Sequence, residues 1–518
     1  MSRRRLVGTA SAALLGAIGV AAPAPAQVIR DRTVTASTGD GGADPAGDAR
    51  HATISASGRI VAFDADTTTL GEDGNGAIRD VFVRDLSARR TVLASRADGG
   101  PAGDGDSTDP ALSADGATVA FLTAATNLAG TDANGADDVY VARAGTIVRA
   151  SVALDGGEPD GPSFAPDVSA DGRYVVFASA ATNLVEGDNN DAVDVFVRDL
   201  AAGTTTLASR AGRRSASGAS QAPAISPDGR FVAFASDAPD LVARDTNGVT
   251  DVFLTDLDRG RVTRVSVSND EVQQNRAVGA PFVPVSDVSR GGRYVVFDSD
   301  ATNLVRPDRN KATDVFLRDV AGRTTRRISS TDARGQADND SFWPTITPDG
   351  RFVGFESFAG NLSSADGPSE NLFVYDRALR RTALVDVTAS GGRRDEERRR
   401  QLLQRVALSA NARFAAFSST ARNLAPGNAA ATQDVFRRTL APATAEVVVG
   451  GATKGGRRTY RLTAPPAKAF TCLLDGRPFR CGRSGRLPAL TGGVHRLVVR
   501  AGGPGLLWSA PAARRFHG

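Results

Sequence analysis

Histidine, cysteine and lysine are scarce in this chain of 518 residues, and each shortage excludes a class of chemistry. The three histidines, His51, His495 and His517, are far apart in the sequence, so we expect no serine-histidine-acid triad. The two cysteines do not complete a zinc ligand set with them. Lysine occurs only three times and the arginines are spread along the chain, so the net charge of +4 gives no basic patch for nucleic acid.

Long apolar runs are also missing after the first 27 residues. Those residues have the features of a signal peptide, with Arg3-Arg4-Arg5 as the charged start, a small apolar stretch, and Ala24-Pro25-Ala26 as the cleavage site. We expect residues 1–26 to be removed on export, by general secretion or by the twin-arginine route. No later run reaches the roughly 20 residues of a membrane-spanning helix, which predicts a secreted or cell-envelope protein without a membrane span.

One motif recurs along most of the remaining chain: serine, any residue, Asp-Gly-Arg, aromatic, Val, any residue, Phe. A second block, Asp-Val-Phe, follows it at a fixed distance. Clear copies occupy residues 169–177, 226–234 and 289–297, and weaker copies end at Phe63, Phe121, Phe355 and Phe417. Seven copies with a period of roughly 60 residues and strand-like punctuation indicate a propeller or a β solenoid.

Residues 165–209 show how one repeat is built. A short strand at 166–169 is followed by an Asp171-Gly172 turn, because glycine tolerates the positive φ of tight hairpins. Three more strands follow at 173–179, 194–199 and 204–209. No helix-length amphipathic segment separates them, so the pattern predicts an all-β fold, a seven-bladed β-propeller of four-stranded antiparallel blades, with the recurrent phenylalanines in its core.

The copies at 226–234 and 347–355 resemble the TolB-type, WD40-like (PD40) β-propeller repeat. The resemblance covers about 400 residues and implies a propeller over residues 27–442. Proteins of this broad class include periplasmic and secreted scaffolds and the amino-terminal propellers of some serine peptidases. The resemblance therefore implies a fold and leaves the activity open.

The ring needs a closing strand, and two segments compete for that position. Residues 33–37 resemble the fourth strand of a blade and would complete the seventh blade beside Asp434 to Arg437, which removes an exposed edge. Residues 445–449 lie at a suitable distance after Phe436 to fill the same place. We expect the amino-terminal segment to close the ring.

Residues 443–518 differ in character and resemble the Ig-like β-sandwich modules of bacterial exported proteins. The similarity lies in residues 470–481 and in a Gly493-Val-His495 strand. Cys472 and Cys481 lie close together in a chain expected to be exported, where disulfides persist, so we predict a local bridge.

A pattern Asp-x-Asn-x-x-x-Asp recurs between the second and third strands of four repeats. Alternating carboxylate and amide oxygens are ligands that calcium favours. The alternative is that they bond the amides of their own turn, as Asp and Asn often do, and this is the interpretation we favour. The candidate calcium ligands are Asp132, Asn134, Asp138, Asp188, Asn190, Asp194, Asp245, Asn247, Asp251, Asp308, Asn310 and Asp314.

Features found in one repeat only are candidates for ligand binding, because what every repeat shares is expected to be scaffold. They lie in the connections between blades, and exposed rings there supply large contact areas. The candidates are Gln273, Gln274, Phe282, Asp338, Asp340, Phe342, Trp343, Arg393 and Arg394. The alternatives are that Trp343 packs on the channel wall and that the arginines belong to a solvated helix.

These observations predict an exported, non-catalytic binding or scaffold protein, a monomer that recognises an extracellular or envelope protein or a glycan on its loop face. The competing hypothesis is a carbohydrate-active propeller enzyme, a glycosidase or lyase, that uses paired loop carboxylates such as Asp338 and Asp340. Apart from calcium, no cofactor is expected.

Overall fold

The computed structural model describes most of the chain after residue 32. The described residues are 33–40, 42, 47–70, 74–76, 78–130, 132–276, 284–331, 335–363, 370–388, 393–395, 405–426, 428, 432–440, 446–452, 458–463, 469–490, 493–502 and 512–517. They are almost entirely strands and turns, with one 3-10 turn at Arg290–Gly292. The predicted all-β fold is confirmed.

Between residues 33 and 440 the described residues form seven four-stranded antiparallel sheets, which we number in chain order. Sheet 1 contains Ala49–Ile54, Ile60–Ala65, Asp80–Asp85 and Arg90–Leu93; sheet 2 Ser107–Leu112, Thr118–Thr123, Asp138–Arg143 and Thr146–Arg149; sheet 3 Ser163–Val168, Tyr174–Ser179, Asp194–Asp199 and Thr204–Leu207; sheet 4 Ser220–Ile225, Phe231–Ser236, Asp251–Asp256 and Arg261–Arg264; sheet 5 Ser286–Val288, Tyr294–Ser299, Asp314–Asp319 and Thr324–Arg327; sheet 6 Ser341–Ile346, Phe352–Ser357, Asn371–Asp376 and Arg381–Leu384; sheet 7 Ala407–Leu408, Phe414–Ser419, Asp434–Thr439 and, as its fourth strand, Thr33–Thr35. A small hairpin, Arg210–Ala211 with Arg214–Ser215, follows sheet 3.

The first strands of the sheets meet around one axis. Each first strand contacts the first strands of the preceding and the following sheet, and the first strand of sheet 7 contacts that of sheet 1. The ring is closed through the amino-terminal strand, because Thr33–Thr35 pairs antiparallel with residues 436–438, as predicted. The competing segment, Glu446–Ala452, pairs instead with Arg458–Thr463.

The recurrent phenylalanines form the layers between sheets. Phe177 and Phe196 are fully buried and stack with their ring centroids 5.9 Å apart. They belong to one apolar cluster with Val139 and Val141 of sheet 2, so the rings of one sheet pack on its predecessor. Burial of a side chain of this size stabilises the fold by about 2–3 kcal/mol.

The Asp-Gly turn explains why the motif is so regular. Gly172 has a φ of 68°, and a Cβ atom there would lie 2.3 Å from Thr118 of the preceding sheet. Asp171 accepts hydrogen bonds from the Ser169 hydroxyl at 2.6 Å and from the backbone N–H of Arg173 at 3.0 Å. Each turn residue is therefore fixed by backbone geometry or by the neighbouring sheet.

The carboxy-terminal residues form two further sheets with their own apolar cluster. One contains Glu446–Ala452, Arg458–Thr463 and Ser484–Arg486; the other contains Ala469–Leu474, Arg477–Phe479, Val494–Gly502 and Ala512–His517. The predicted disulfide between Cys472 and Cys481 is present, with Cα atoms 6.1 Å apart. In the part of the chain that is described, no helix is both long and apolar enough to cross a membrane.

Candidate functional site at the loop face

We call the end of the ring at which first strands begin and second strands end the loop face. A β-bulge interrupts the first strand of sheets 1, 2, 3, 4 and 6 near this face. The bulged residue has a positive φ in every case, and these residues are His51, Asp109, Ala165, Ala222 and Trp343. Bulges re-aim side chains and are frequent beside functional sites. Each of these five sheets therefore places one residue at an equivalent position near the axis, where the bulge sets the direction of its side chain.

Sheet 6 carries a cluster of aromatic rings at this position, which we call the aromatic cluster. The rings of Phe342 and Trp343 meet edge to face with centroids 5.0 Å apart, and Phe342 lies 5.6 Å from Phe358. All three residues are half-buried, so each keeps part of its surface accessible. The equivalent positions of sheets 1 to 4 hold one phenyl ring, Phe164 of sheet 3, and the imidazole of His51 in sheet 1. The cluster therefore distinguishes sheet 6 from these repeats.

Asp298 fixes the backbone that carries the aromatic cluster. It lies in the second strand of sheet 5 and is 2% exposed. Its carboxylate accepts the backbone N–H of Trp343 at 2.9 Å and that of Val285 at 2.8 Å. Burial raises the pKa of Asp298 to about 7, while these hydrogen bonds oppose the rise. Asp298 thereby joins the first strands of sheets 5 and 6 at the bulge.

A histidine between two aspartates occupies the corresponding place in sheet 1. The Nδ1 atom of His51 lies 2.6 Å from Asp64, which also accepts a hydrogen bond from Arg79 at 2.8 Å. The Nε2 atom of His51 lies 3.6 Å from Asp109 of sheet 2. Burial lowers the pKa of His51, but the hydrogen bond and charges of the two aspartates outweigh it and leave that pKa raised. His51 thus lies between Asp64 of sheet 1 and Asp109 of sheet 2 and links the two sheets.

Two further aspartates join first strands at a greater distance from the loop face. Asp167 accepts the backbone N–H of Ile225 at 2.9 Å, and Asp287 accepts that of Ile346 at 2.7 Å. Burial raises the pKa of Asp167 to about 6, and burial together with the charge of Asp167 raises that of Asp287 to about 7. The Asp167 charge acts on Asp287 although their sheets, 3 and 5, are not adjacent.

The structure places Asp338 and Asp340 in backbone hydrogen bonds. Asp338 accepts the N–H of Gly360 at 2.8 Å, and Asp340 accepts the N–H of Thr313 at 2.9 Å. The equivalent Asp160 of sheet 3 makes the same bond, to Thr182 at 2.6 Å. Asp338 is therefore a repeated loop support.

The remaining ligand-binding candidates are dispersed. Gln274 is 1% exposed and donates to the carbonyl of Thr250 at 2.6 Å, so its side chain is not accessible to an external ligand. Gln273 donates to the Arg244 carbonyl. The backbone of Arg393 forms an isolated antiparallel β-bridge with Val387. The Arg394 guanidinium lies 2.8 Å from the Asp386 carboxylate. Phe282 and residues 396–404 lie outside the described residues.

The candidate calcium motifs differ in what lies between their carboxylates. Sheets 2, 4 and 5 insert an arginine, as in sheet 4, where Arg264 lies 2.8 Å from Asp245 and 3.2 Å from Asp251. The other pairs are Arg149 with Asp132 and Asp138, and Arg327 with Asp308 and Asp314. Where side chains are described, no cluster of three or more histidine, cysteine or acidic residues is placed to hold a metal.

Sequence reasoning did not identify His51, Asp64, Asp298 or Phe358 as parts of a site. A signal was present in the residue that follows the motif phenylalanine. It is acidic in Asp64, Asp298 and Glu356 but apolar in Leu122, Ala178 and Ala235. An acidic residue in the middle of a strand, at a place where other repeats are apolar, marks a specific contact.

No family model and no curated protein matches the chain. Similar solved structures include an oligogalacturonate lyase from Vibrio parahaemolyticus, at 10% identity and a TM-score of 0.45, covering 76% of this chain and 91% of that chain. An oligogalacturonate lyase in complex with manganese gives 12% identity and a TM-score of 0.47, covering 79% and 98%. TolB from Acinetobacter baumannii gives 13% and 0.35, covering 85% and 80%. At these identities and scores no activity transfers to this chain.

Proposed function

We propose that this chain is an exported binding protein, built as a seven-bladed TolB-like propeller with a carboxy-terminal Ig-like module. It recognises its ligand on the loop face, through the aromatic cluster of Phe342, Trp343 and Phe358. The observation that carries the proposal is that three half-buried rings meet at this one bulge. Rings held rigidly beside polar loops supply contact area at a small entropic cost.

A glycan is the ligand class that fits this composition best. Sugar rings stack on aromatic faces, and their hydroxyl groups need acceptors and amides nearby. Asp338 and Asn361 are close in sequence to Phe342 and Phe358, and Asn361 donates to the Gln336 carbonyl at 2.9 Å. Their positions are fixed by these loop bonds, which favours a preorganised surface. An extracellular or envelope protein is the other class of ligand for the same surface.

The test is a glycan array with the mature chain, residues 27–518, followed by titration of each ligand found. Trp343→Ala is expected to weaken binding roughly 30-fold, which corresponds to about 2 kcal/mol for a central aromatic contact. The backbone accepts alanine at this position, because Ala165 and Ala222 occupy it in sheets 3 and 4 with φ of 50° and 51°. The fold should therefore persist.

Phe164→Ala is the matched control, because Phe164 occupies the strand position of Phe342 in sheet 3, where Ala165 and Ala180 stand in place of Trp343 and Phe358. It should change affinity by less than about twofold. Equal losses in both variants, or no loss in Trp343→Ala, would remove the aromatic cluster from the binding site.

A carbohydrate-active enzyme is the second candidate function. The observation that favours it is the pKa of about 7 at Asp298, since a general acid or base works best with a pKa near the working pH. Incubation of each bound glycan with the protein, followed by product analysis, separates the two functions. If product accumulates with the parent chain but not with Asp298→Asn or Asp338→Asn, and both variants keep their fold, the function is catalysis rather than binding alone.

A further inference from the structure

The loop motif of sheet 3 lacks the arginine that its three relatives share. The fourth strands of sheets 2, 4 and 5 place Arg149, Arg264 and Arg327 opposite the aromatic residue of the third strand. Sheet 3 has Leu207 at this position, paired with Phe196 in the same register. The guanidinium that lies between two carboxylates elsewhere is therefore replaced by an apolar side chain.

The carboxylates themselves are retained in sheet 3. Asn190 donates to Asp194 at 2.8 Å and to the carbonyl of Ala216 at 2.7 Å, as Asn247 of sheet 4 does to Asp251 and Gln274. The Ser209 hydroxyl donates to the other oxygen of Asp194 at 2.5 Å. The loop is therefore built like that of sheet 4, apart from the missing arginine.

Asp188 has no substitute for that arginine. Both of its carboxylate oxygens are buried and receive no hydrogen bond from the described residues. In sheet 5, Gln336 also donates into the motif, to Asp308 at 2.7 Å, but sheet 3 has the short Ser215 near Asp188 instead. Burial raises the pKa of Asp188, with a smaller contribution from the charge of Asp160, while the nearby Ser215 and Asp194 side chains lower it. Burial and the charge of Asp188 raise the pKa of Asp194 to about 7. Two adjacent buried carboxylates without a cation destabilise each other.

We propose that Asp188 and Asp194 bind a divalent cation of the calcium type in the place that arginine fills in sheets 2, 4 and 5. Hard divalent cations favour carboxylate and other oxygen ligands, and two carboxylates balance their charge. The Ser215 hydroxyl lies at the same place, and water completes the coordination. Sheet 3 alone among the four motifs holds this ion, because an internal cation already occupies the other three.

The experiment measures the melting temperature of the mature chain after chelation, with and without calcium, magnesium or manganese. At least one of these ions should raise the melting temperature, by roughly a few degrees at a hundred times its dissociation constant. Asp188→Asn should abolish the shift, and calorimetric titration should give a single ion per chain. The matched variant Asp245→Asn in sheet 4 should keep the shift, since Arg264 fills that motif.

Leu207→Arg tests the replacement directly. An arginine here should lie over Phe196, as Arg264 lies 5.8 Å from the ring centre of Phe253. The variant should be as stable without ions as the parent with them, and should not respond to added ions. If none of the three ions changes the melting temperature of the parent chain, the proposal is overturned. The two acids would then be stabilised by a shared proton instead. A shift that survives in Asp188→Asn, or that disappears in Asp245→Asn, would overturn it too.

Discussion

Replacing Asp298 by asparagine should change how the stability of the protein depends on pH. The folded-state pKa of Asp298 is raised from 3.8 to about 7 by burial, so the folded protein holds this proton more tightly than the unfolded chain. Its contribution to stability is therefore complete below about pH 4 and is lost as the pH rises through 7. Asparagine cannot ionise and has no such loss.

The magnitude follows from the two pKa values. A difference of about 3 units, at about 1.4 kcal/mol each, gives at most about 4 kcal/mol between pH 4 and pH 8. The amide can accept only one of the two backbone N–H bonds of the carboxylate, a loss of about 1 kcal/mol at every pH. Asp298→Asn should thus be slightly less stable than the parent at pH 4 and up to about 3 kcal/mol more stable at pH 8.

Urea unfolding of both proteins between pH 4 and pH 8 gives this difference directly, because other titrating groups cancel. Asp85→Asn, followed below about pH 4, is a control of opposite sign, since hydrogen bonds from Arg59 lower the pKa of Asp85 to about 2. That stabilisation is present above about pH 4 and is lost as the pH falls through 2. A difference between parent and Asp298→Asn that stays constant with pH would refute the reasoning.

Three further changes test the fold. Ser37→Ala removes a hydrogen bond to buried Asp434 and should lower the free energy of unfolding by about 1–3 kcal/mol, measured in urea; an unchanged value would mean that the amino-terminal strand does not close the ring. Reduction of the bridge between Cys472 and Cys481, nine residues apart, should cost about 3 kcal/mol, seen as a lower melting temperature that Cys472→Ser and Cys481→Ser reproduce. Phe177→Ala should cost about 3–5 kcal/mol in urea unfolding, and a cost below 1 kcal/mol would contradict its place between the sheets.

The repeats were predictable because each repeated residue has a local reason. Gly172 needs a positive φ, and Phe177 has a fixed position in its strand opposite Phe196, so the sequence pattern reports both directly. Even the closing strand could be predicted, since residues 33–37 repeat a fourth strand. The disulfide was predictable from two nearby cysteines in a chain expected to be exported.

The candidate site was predicted only in part, because its contacts join repeats that are distant in the chain. Trp343 was identified as an unusual residue, but its link to Asp298 spans 45 positions and two sheets. The sequence predicted that Asp338 is specific to one repeat, yet its hydrogen bond to Gly360 has an equivalent in the bond of Asp160 to Thr182. Burial also cannot be read from a loop sequence, as Gln274 shows.

The strands, the turns and the phenylalanine layers could be predicted from the sequence, because they depend on backbone preference and on the spacing of residues within one repeat. Which side chains meet at the axis, and which carboxylates already have an arginine beside them, depends on how the sheets pack in three dimensions. Leu207 is an ordinary strand residue in the sequence, and its meaning appears only when Asp188 and Asp194 lie beside it without an arginine. Charge compensation depends on distances between side chains that close-packed sheets fix, and these distances are not local properties of the chain.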